Sequence, residues 1–194
     1  MSPRGRRPGS PDTRATILAA AQESFGHEGF AGTTIRGVAA SAGVDAALVH
    51  HYFGTKEDLF LASLQLPVDP REVLQPALDG SRDEIGVRLV AQFLSVWDDP
   101  DYRPALLAVT RAVVAPGGRQ LAIDGFIPAI IGPVLAQAMR DRPEVRVPLV
   151  ASQMVGLIVT RYLIGLEPMA SMPAQDVAAR IGPTIQRYLV DDLP

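Results

Sequence analysis

The sequence predicts an all-α fold, with a small N-terminal helical part followed by a larger helical remainder. Three observations predict it. Apolar residues recur at i, i+3, i+4 and i+7, most clearly at Ile35, Val38, Ala39 and Ala42, which marks one face of a 3.6-residue period. Clusters of Pro, Gly and Asp cut the chain into segments of helical length. No segment alternates as a strand would, and no internal repeat is present.

The elements follow in order. Residues 1–10 are rich in Arg, Pro and Gly and predict a disordered basic arm carrying Arg4, Arg6 and Arg7. Ser10 as N-cap and Pro11 at the first helical position open helix 1. That helix runs to about Glu28 with Ile17, Leu18, Ala21 and Phe25 inward, and Gly29 ends it. Thr33 or Thr34 caps helix 2, and Gly43 sits where a left-handed residue would stop it. Asp45 caps helix 3, with Val49 and Phe53 on its inner side. A helix, a short Gly-containing turn and a second helix form the helix-turn-helix arrangement that sets one helix in a DNA major groove. Thr55 and Asp58 form a capping-box pattern opening helix 4, whose core face is Leu59, Phe60 and Leu64, and Pro67 and Pro70 stop it.

Beyond that point helical patterns fall at roughly 71–79, 82–97, 101–115, 119–141, 147–166 and 174–190. Pro128 and Pro133 predict a kink or break in the fourth of these, and Pro183 raises the same question for the last. The segment Leu149–Leu166 is apolar nearly all round, with Arg161 as its only charge. Its length of about 18 residues reaches the threshold for a membrane span, but Arg161 and Gln153 would be costly in lipid. The expectation is therefore a helix covered on two sides, by its own core and by a second copy of the chain. Val150 and Leu157 are candidate positions for its outer face, both to be tested because the pattern leaves open which face is outermost.

Composition sets limits. The 194 residues are 47% hydrophobic and 20% charged, as in ordinary globular proteins. There is no cysteine, which excludes disulfides, cysteine nucleophiles and thiolate metal sites and fits a reducing cytoplasm. The polar N-terminus lacks the apolar run of a secretory signal. The net charge of −3 divides unevenly, about +2 over residues 1–56 and about −5 over the rest. The acidic total is compatible with DNA binding, which depends on the local field, but does not argue for it.

Residues 14–60 closely resemble the DNA-binding domain of the tetracycline-repressor (TetR) family of bacterial regulators. The match rests on Ile17-Leu18-Ala19-Ala20-Ala21, Phe25, Gly29-Phe30, Thr33-Thr34, Val38-Ala39, Ala42-Gly43-Val44, His51-Tyr52-Phe53 and Lys56-Glu57-Asp58-Leu59. One departure is His50, where this family usually carries Tyr. The resemblance implies an arm at 1–10, a helix-turn-helix DNA-binding domain at 11–56, and a ligand-binding and dimerisation domain at 57–194. It implies that the helices at 119–141 and 147–166 pair with their copies in a dimer. The stretch from Arg161-Tyr162 to Glu167-Pro168-Met169 also resembles a C-terminal variant common in the family.

With Val49 and Phe53 inward, Ala46, Ala47, Leu48, His50 and His51 are left for the groove. Small side chains at Ala46 and Ala47 allow close approach and contact with a thymine methyl. By resemblance, His50, Tyr52 and Lys56 fall where the family contacts phosphates. Lys56 is the chain's only lysine. Thr34 and Arg36 complete the expected DNA-binding set. Arg36 can equally be a solvated side chain, and the Arg4, Arg6 and Arg7 arm either lies in a minor groove or stays free.

If the resemblance holds, the larger part encloses an effector site, with Phe93, Trp97, Leu106, Phe126, Met154, Arg161 and Tyr162 as candidates; aromatic and Met residues at such spacing are also ordinary core. Arg161 needs a partner, which is an internal acid, a second subunit or an anionic ligand. Adjacent His50 and His51 point about 100° apart on a helix, unlike the i, i+4 spacing that shared metal ligation wants. No metal and no cofactor are expected. No histidine lies beyond His51, and no Gly-rich phosphate loop or serine nucleophile motif is present, so no catalytic residues are assigned and an enzyme is disfavoured. The expected protein is a cytoplasmic regulator of transcription with three partners: a double-stranded DNA operator, a small-molecule effector and a second copy of itself. No membrane is involved. Repression is the family's habit; an activator, or a DNA-binding protein without an effector, is the alternative.

Overall fold

The structure, a computed structural model, describes residues 12–114 and 121–193. The basic arm, the expected Ser10 and Pro11 start of helix 1, and the pattern ends at 115 and 119 lie outside the described residues. The chain divides into two units, Met1–Gln65 and Leu66–Pro194. All regular structure among the described residues is helical.

The first unit holds α1 (Thr13–Gly32), α2 (Ile35–Ala42), α3 (Ala46–Phe53) and α4 (Lys56–Leu64). The observed cap of α1 is Asp12, whose carboxylate accepts the Arg14 N–H at 3.0 Å. Gly29 turns to φ 70° inside α1, so the regular helix breaks there, and one further helical turn carries on through Gly32. The fully buried Thr33 donates its hydroxyl to the Gly29 carbonyl at 2.9 Å. Phe25, Phe30 and Phe60 interlock with ring centroids 5.0, 5.1 and 6.0 Å apart. On α4 the third core residue is Leu61, while Leu64 is only half-buried. α4 packs on α1, which puts it in the first unit. Pro70 does not stop α4, which ends at a left-handed Gln65; it opens the next helix behind the Asp69 cap.

The second unit contains α5 (Pro70–Leu78), a 3-10 turn at Arg82–Glu84, α6 (Ile85–Trp97) and α7 (Arg103–Val114). Leu121–Ile131 is wound in wide π-type turns and passes into the short α8 (Gly132–Ala136). Then come α9 (Pro143–Leu157), its π-wound extension Ile158–Ile164, and α10 (Ala174–Val190). The 119–141 pattern is thus not one helix: Pro128 removes a donor from the ladder, the winding changes at Gly132, and the helix ends at Ala136. α9 begins at Pro143, four residues earlier than expected, because Pro suits the first helical position. Pro183 sits on the exposed side of α10, which continues through it.

α6 and α10 cross at two glycines. A Cβ on Gly86 would strike the Gly182 carbonyl, and one on Gly182 would lie 2.6 Å from Val87 Cγ2 and 2.7 Å from Val87 Cα. α6 has no capping side chain of its own. Gln186 of α10 supplies one, accepting the Gly86 N–H at 2.8 Å while its amide donates to the Arg82 carbonyl at 2.6 Å. Around this crossing Ile85, Leu89, Val90 and Leu94 pack against Val177, Ala178, Ile185 and Leu189.

Arg146, fully buried in α9, donates to Asp141 Oδ1 at 2.8 Å and to the carbonyls of Tyr188 and Asp191 at 2.8 and 2.9 Å. It closes the carbonyl end of α10. Its hydrogen bond lowers the pKa of the solvent-facing Asp141 below the ordinary 3.8, with desolvation opposing.

Val150 and Leu157, the candidate positions for the outer face of the 147–166 helix, are 1% and 3% exposed and join the core of their own unit. The open side instead carries Val155, 46% exposed. Pro143–Ile164 is 22 residues, and its most apolar 18-residue stretch has a mean hydropathy of 1.6, long and apolar enough by length and composition to cross a membrane.

Two outcomes follow for stability. Gly182→Ala gains about 1 kcal/mol of helix propensity but forces α6 and α10 apart, for a net loss of about 2 kcal/mol; urea unfolding measures it, and an unchanged midpoint would mean the crossing is slack. Arg146→Met should cost about 3 kcal/mol near neutral pH, since three acceptors lose a charged donor. A lowered carboxylate pKa stabilises above its unfolded value and loses that effect as pH falls through the folded value. The gap between wild type and Arg146→Met should therefore narrow below about pH 4, which melts recorded across pH would reveal.

Candidate nucleic-acid interface and effector site

The turn between α2 and α3 is set by backbone chemistry. Gly43 is left-handed at φ 68°, its N–H donates to the Ala40 carbonyl at 3.1 Å, and the Val44 N–H donates to the Ala39 carbonyl at 2.9 Å. This paired closure needs a residue that tolerates positive φ. Asp45 then accepts the Ala47 N–H at 2.7 Å and starts α3.

Val49 and Phe53 are buried, so α3 turns Ala47, His50, His51 and Tyr52 to solvent. Ala46 and Leu48 are half-buried at the margin of that surface. The imidazole of His50 approaches the Gly54 carbonyl through Nδ1 at 2.8 Å. A carbonyl only accepts, so Nδ1 carries a proton and Nε2 is the outward nitrogen. Thr34 caps α2 by accepting the Gly37 N–H at 3.0 Å, which leaves its hydroxyl proton for a further acceptor. Arg36 is exposed beside it.

Lys56 holds its Nζ 4.5 Å from the Phe30 ring centroid, a cation–π contact that positions the ammonium. The capping box is formed as expected: Thr55 Oγ1 accepts the Asp58 N–H at 3.1 Å, and Asp58 accepts the Thr55 N–H at 3.1 Å. The Asp58 carboxylate therefore already occupies the start of α4, so any phosphate attraction there comes from Lys56 rather than from the helix end.

The second candidate site gathers at the end of α6. Phe93 and Trp97 lie 5.7 Å apart, and Trp97 stacks on Tyr162 at 5.1 Å. Asp98 is the partner of Arg161: Nη2 donates to Oδ2 at 3.1 Å and Oδ1 at 3.3 Å, and the Tyr162 hydroxyl donates to Oδ1 at 2.9 Å. Arg161 Nη1 donates to the Met169 and Met172 carbonyls, each at 2.7 Å. Arg103 donates to the Trp97 and Asp98 carbonyls at 3.0 and 2.8 Å. Burial is the largest single influence and works against the Arg161 charge, but the hydrogen bonds and charges of Asp98 and Tyr162 together outweigh it and the pKa rises. Burial, then the nearby Asp98 charge, push the Tyr162 phenol well up.

Of the residues expected to face an effector, Phe93, Trp97, Arg161 and Tyr162 come together. Met154 packs against the main core, Leu106 is buried on α7, and Phe126 makes no ring contact among the described residues. Asp98 and Arg103 were not singled out from sequence; the need of Arg161 for an acid, with Asp98 next to Trp97, was the available signal. Among the described residues no group of three His, Asp or Glu side chains is placed to hold a metal.

A family model described as "Bacterial regulatory proteins, tetR family" matches residues 17–63, and one described as "Tetracyclin repressor-like, C-terminal domain" matches residues 83–189, more than half of the chain. The chain belongs to the TetR family. It is a helix-turn-helix transcriptional regulator of that family. A TetR-family regulator from Streptomyces coelicolor A3 is 40% identical, with 95% of this chain and 98% of that one covered at a TM-score of 0.54. The multidrug binding protein EbrR, complexed with imidazole, is 21% identical over 100% of this chain and 99% of that one at a TM-score of 0.50, a likeness of fold alone. HTH-type transcriptional regulator BetI of Agrobacterium fabrum is 35% identical over 102 residues, 50% of each chain. The regulatory protein RaaS of Mycobacterium tuberculosis is 56% identical over 45 residues, 23% of this chain and 21% of that one. The chain spans about half the length of BetI and less of RaaS.

Proposed function

We propose that this TetR-family regulator is a cytoplasmic repressor that binds a palindromic operator as a homodimer and leaves it on binding a small molecule. The observation that carries the reading is the surface of α3: Ala47, His50, His51 and Tyr52 are open to solvent while Val49 and Phe53 anchor the helix from behind. Ala47, with Ala46 and Leu48 at its margin, would meet base edges. Thr34, Arg36, His50, Tyr52 and Lys56 would meet phosphates. The unit ending at Gln65 serves as the reader, and the unit from Leu66 as the effector and assembly part.

Dimerisation is supported by exposed apolar residues on α9 and its extension, Val155 and Ile164 at 46% and 67%, with Leu166 at 53% just beyond their end. Exposed apolar residues along one helix favour cover by a second copy, and a two-fold dimer sets recognition helices roughly 34–36 Å apart for successive major grooves. A stable interface of this kind buries above about 1,200 Å² in total.

DNA binding can be tested on a duplex selected from a random pool. Ala47→Glu should abolish specific binding with melting nearly unchanged, because the carboxylate meets DNA and no core atom. Lys56→Ala should weaken specific and nonspecific binding alike and reduce the salt slope by about one. If Ala47→Glu binds normally, α3 is not the reading helix.

Assembly calls for a charge on the open side. Val155→Asp should give folded monomers by light scattering and lose affinity for the palindrome; a wild-type monomer that binds the palindrome tightly would overturn the dimer. Val150→Asp and Leu157→Asp would instead unfold the unit.

A further inference from the structure

We propose, building on the effector-responsive reading above, that Arg161 is the recognition residue of the effector site and that the effector is a small carboxylate with a flat apolar body. The observation behind it is an idle donor. Arg161 has a side chain only 8% exposed, yet its Nε is the one buried side-chain nitrogen or oxygen among the described residues with no hydrogen-bond partner. Leaving such a donor unpaired is unfavourable.

The pairing with Asp98 explains why it is idle. Both carboxylate oxygens sit on a single nitrogen, Nη2, at 3.1 and 3.3 Å. Charged N–H···O bonds are usually about 2.7–2.9 Å, and the strong arrangement is a fork across two nitrogens. The Nε and Nη2 edge is therefore incompletely used. A carboxylate entering along that edge would take both donors, while Nη1 keeps its bonds to the Met169 and Met172 carbonyls.

Asp98 has somewhere to go. It is 30% exposed, already accepts the Tyr162 hydroxyl at 2.9 Å, and lies 3.8 Å from Arg103 Nη2. On ligand entry it would stay on Tyr162 and close on Arg103, so each guanidinium would end with one carboxylate. Before entry, Arg161 and Arg103 share the one carboxylate of Asp98, and the unused guanidinium donor of Arg161 favours an anion over a neutral or cationic ligand. Phe93, Trp97 and Tyr162 form an aromatic wall beside Arg161, whose guanidinium lies 5.5 Å from the Tyr162 ring centroid, and such a wall suits a flat apolar body.

The chain's one tryptophan, Trp97, stacks on Tyr162 and reports on the site. Its fluorescence would be followed in the full chain during titration with benzoate and 1-naphthoate, with benzamide and benzylamine as neutral and cationic counterparts, to about 10 mM, which captures millimolar ligands. A saturable change with the carboxylates alone is expected. Asp98→Asn, which removes the competing anion, should bind the same carboxylate about tenfold tighter, and Arg161→Lys, which keeps charge but has no fork, about tenfold weaker. A purely structural Asp98 would not tighten binding when replaced. The assignment is overturned by no saturable response to either carboxylate, by preference for benzylamine, or by an Asp98→Asn variant that binds no tighter; the last holds even if Arg161→Lys fails to fold. Release of the selected duplex is read separately. Carboxylates that bind through Arg161 without loosening DNA would sink effector control and leave the site standing. Release by other compounds while carboxylates fail would do the reverse.

Discussion

The close approach of α6 and α10 at Gly86 and Gly182 is the constraint on which the second unit depends. Two helices meet there with no side chain between them, and Gln186 uses the proximity to cap an α6 that has no cap of its own. The two features reinforce each other, because the amide reaches the Gly86 N–H only if the backbones are this near. The apolar contacts farther along, Leu89 and Leu94 against Ile185 and Leu189 among them, share the register set at that point. α6 then delivers Phe93, Trp97 and Asp98 from its far end, so the geometry of the candidate effector site begins at a crossing about three turns away.

Arginines do much of the remaining positioning, and they do it through carbonyls. Arg146 closes the end of α10, Arg103 the end of α6, and Arg161 ties the Met169 and Met172 carbonyls to the π-wound extension of α9. A guanidinium suits this task because it offers several donors in a fixed plane. Arg146 has all its contacts satisfied and is fully enclosed. Arg161 differs in one nitrogen, and that difference separates a structural guanidinium from one available to a ligand.

The parts of the fold legible in the sequence are those that depend on near neighbours. Thr34, Gly43, Asp45 and the Thr55–Asp58 pair act within a few residues of themselves, and the inward phase of Val49 and Phe53 follows from an eight-residue helix. The candidate site was half legible: Arg161 announces that it needs an acid, but Asp98 stands 63 residues away and only the packing of α6 selects it. The same limit hid Arg146, whose acceptors lie 42 and 45 residues on, and the Gly86–Gly182 crossing. Val150 and Leu157 were misplaced for a related reason. A helix apolar all round has no polar face to give its phase, so only the partners it meets decide which side is inner.

His50 shows how a local departure can be absorbed without changing the element. Where the family usually has Tyr, the imidazole donates from Nδ1 to the carbonyl of Gly54, a residue at φ 80° whose backbone only glycine adopts readily. The bond spans the C-terminal turn of α3 and fixes the ring, so the outward nitrogen is held at a set height on the exposed face. Tyr would present a hydroxyl there. The substitution therefore keeps the fold of α3 and places an imidazole where the family usually has a phenol.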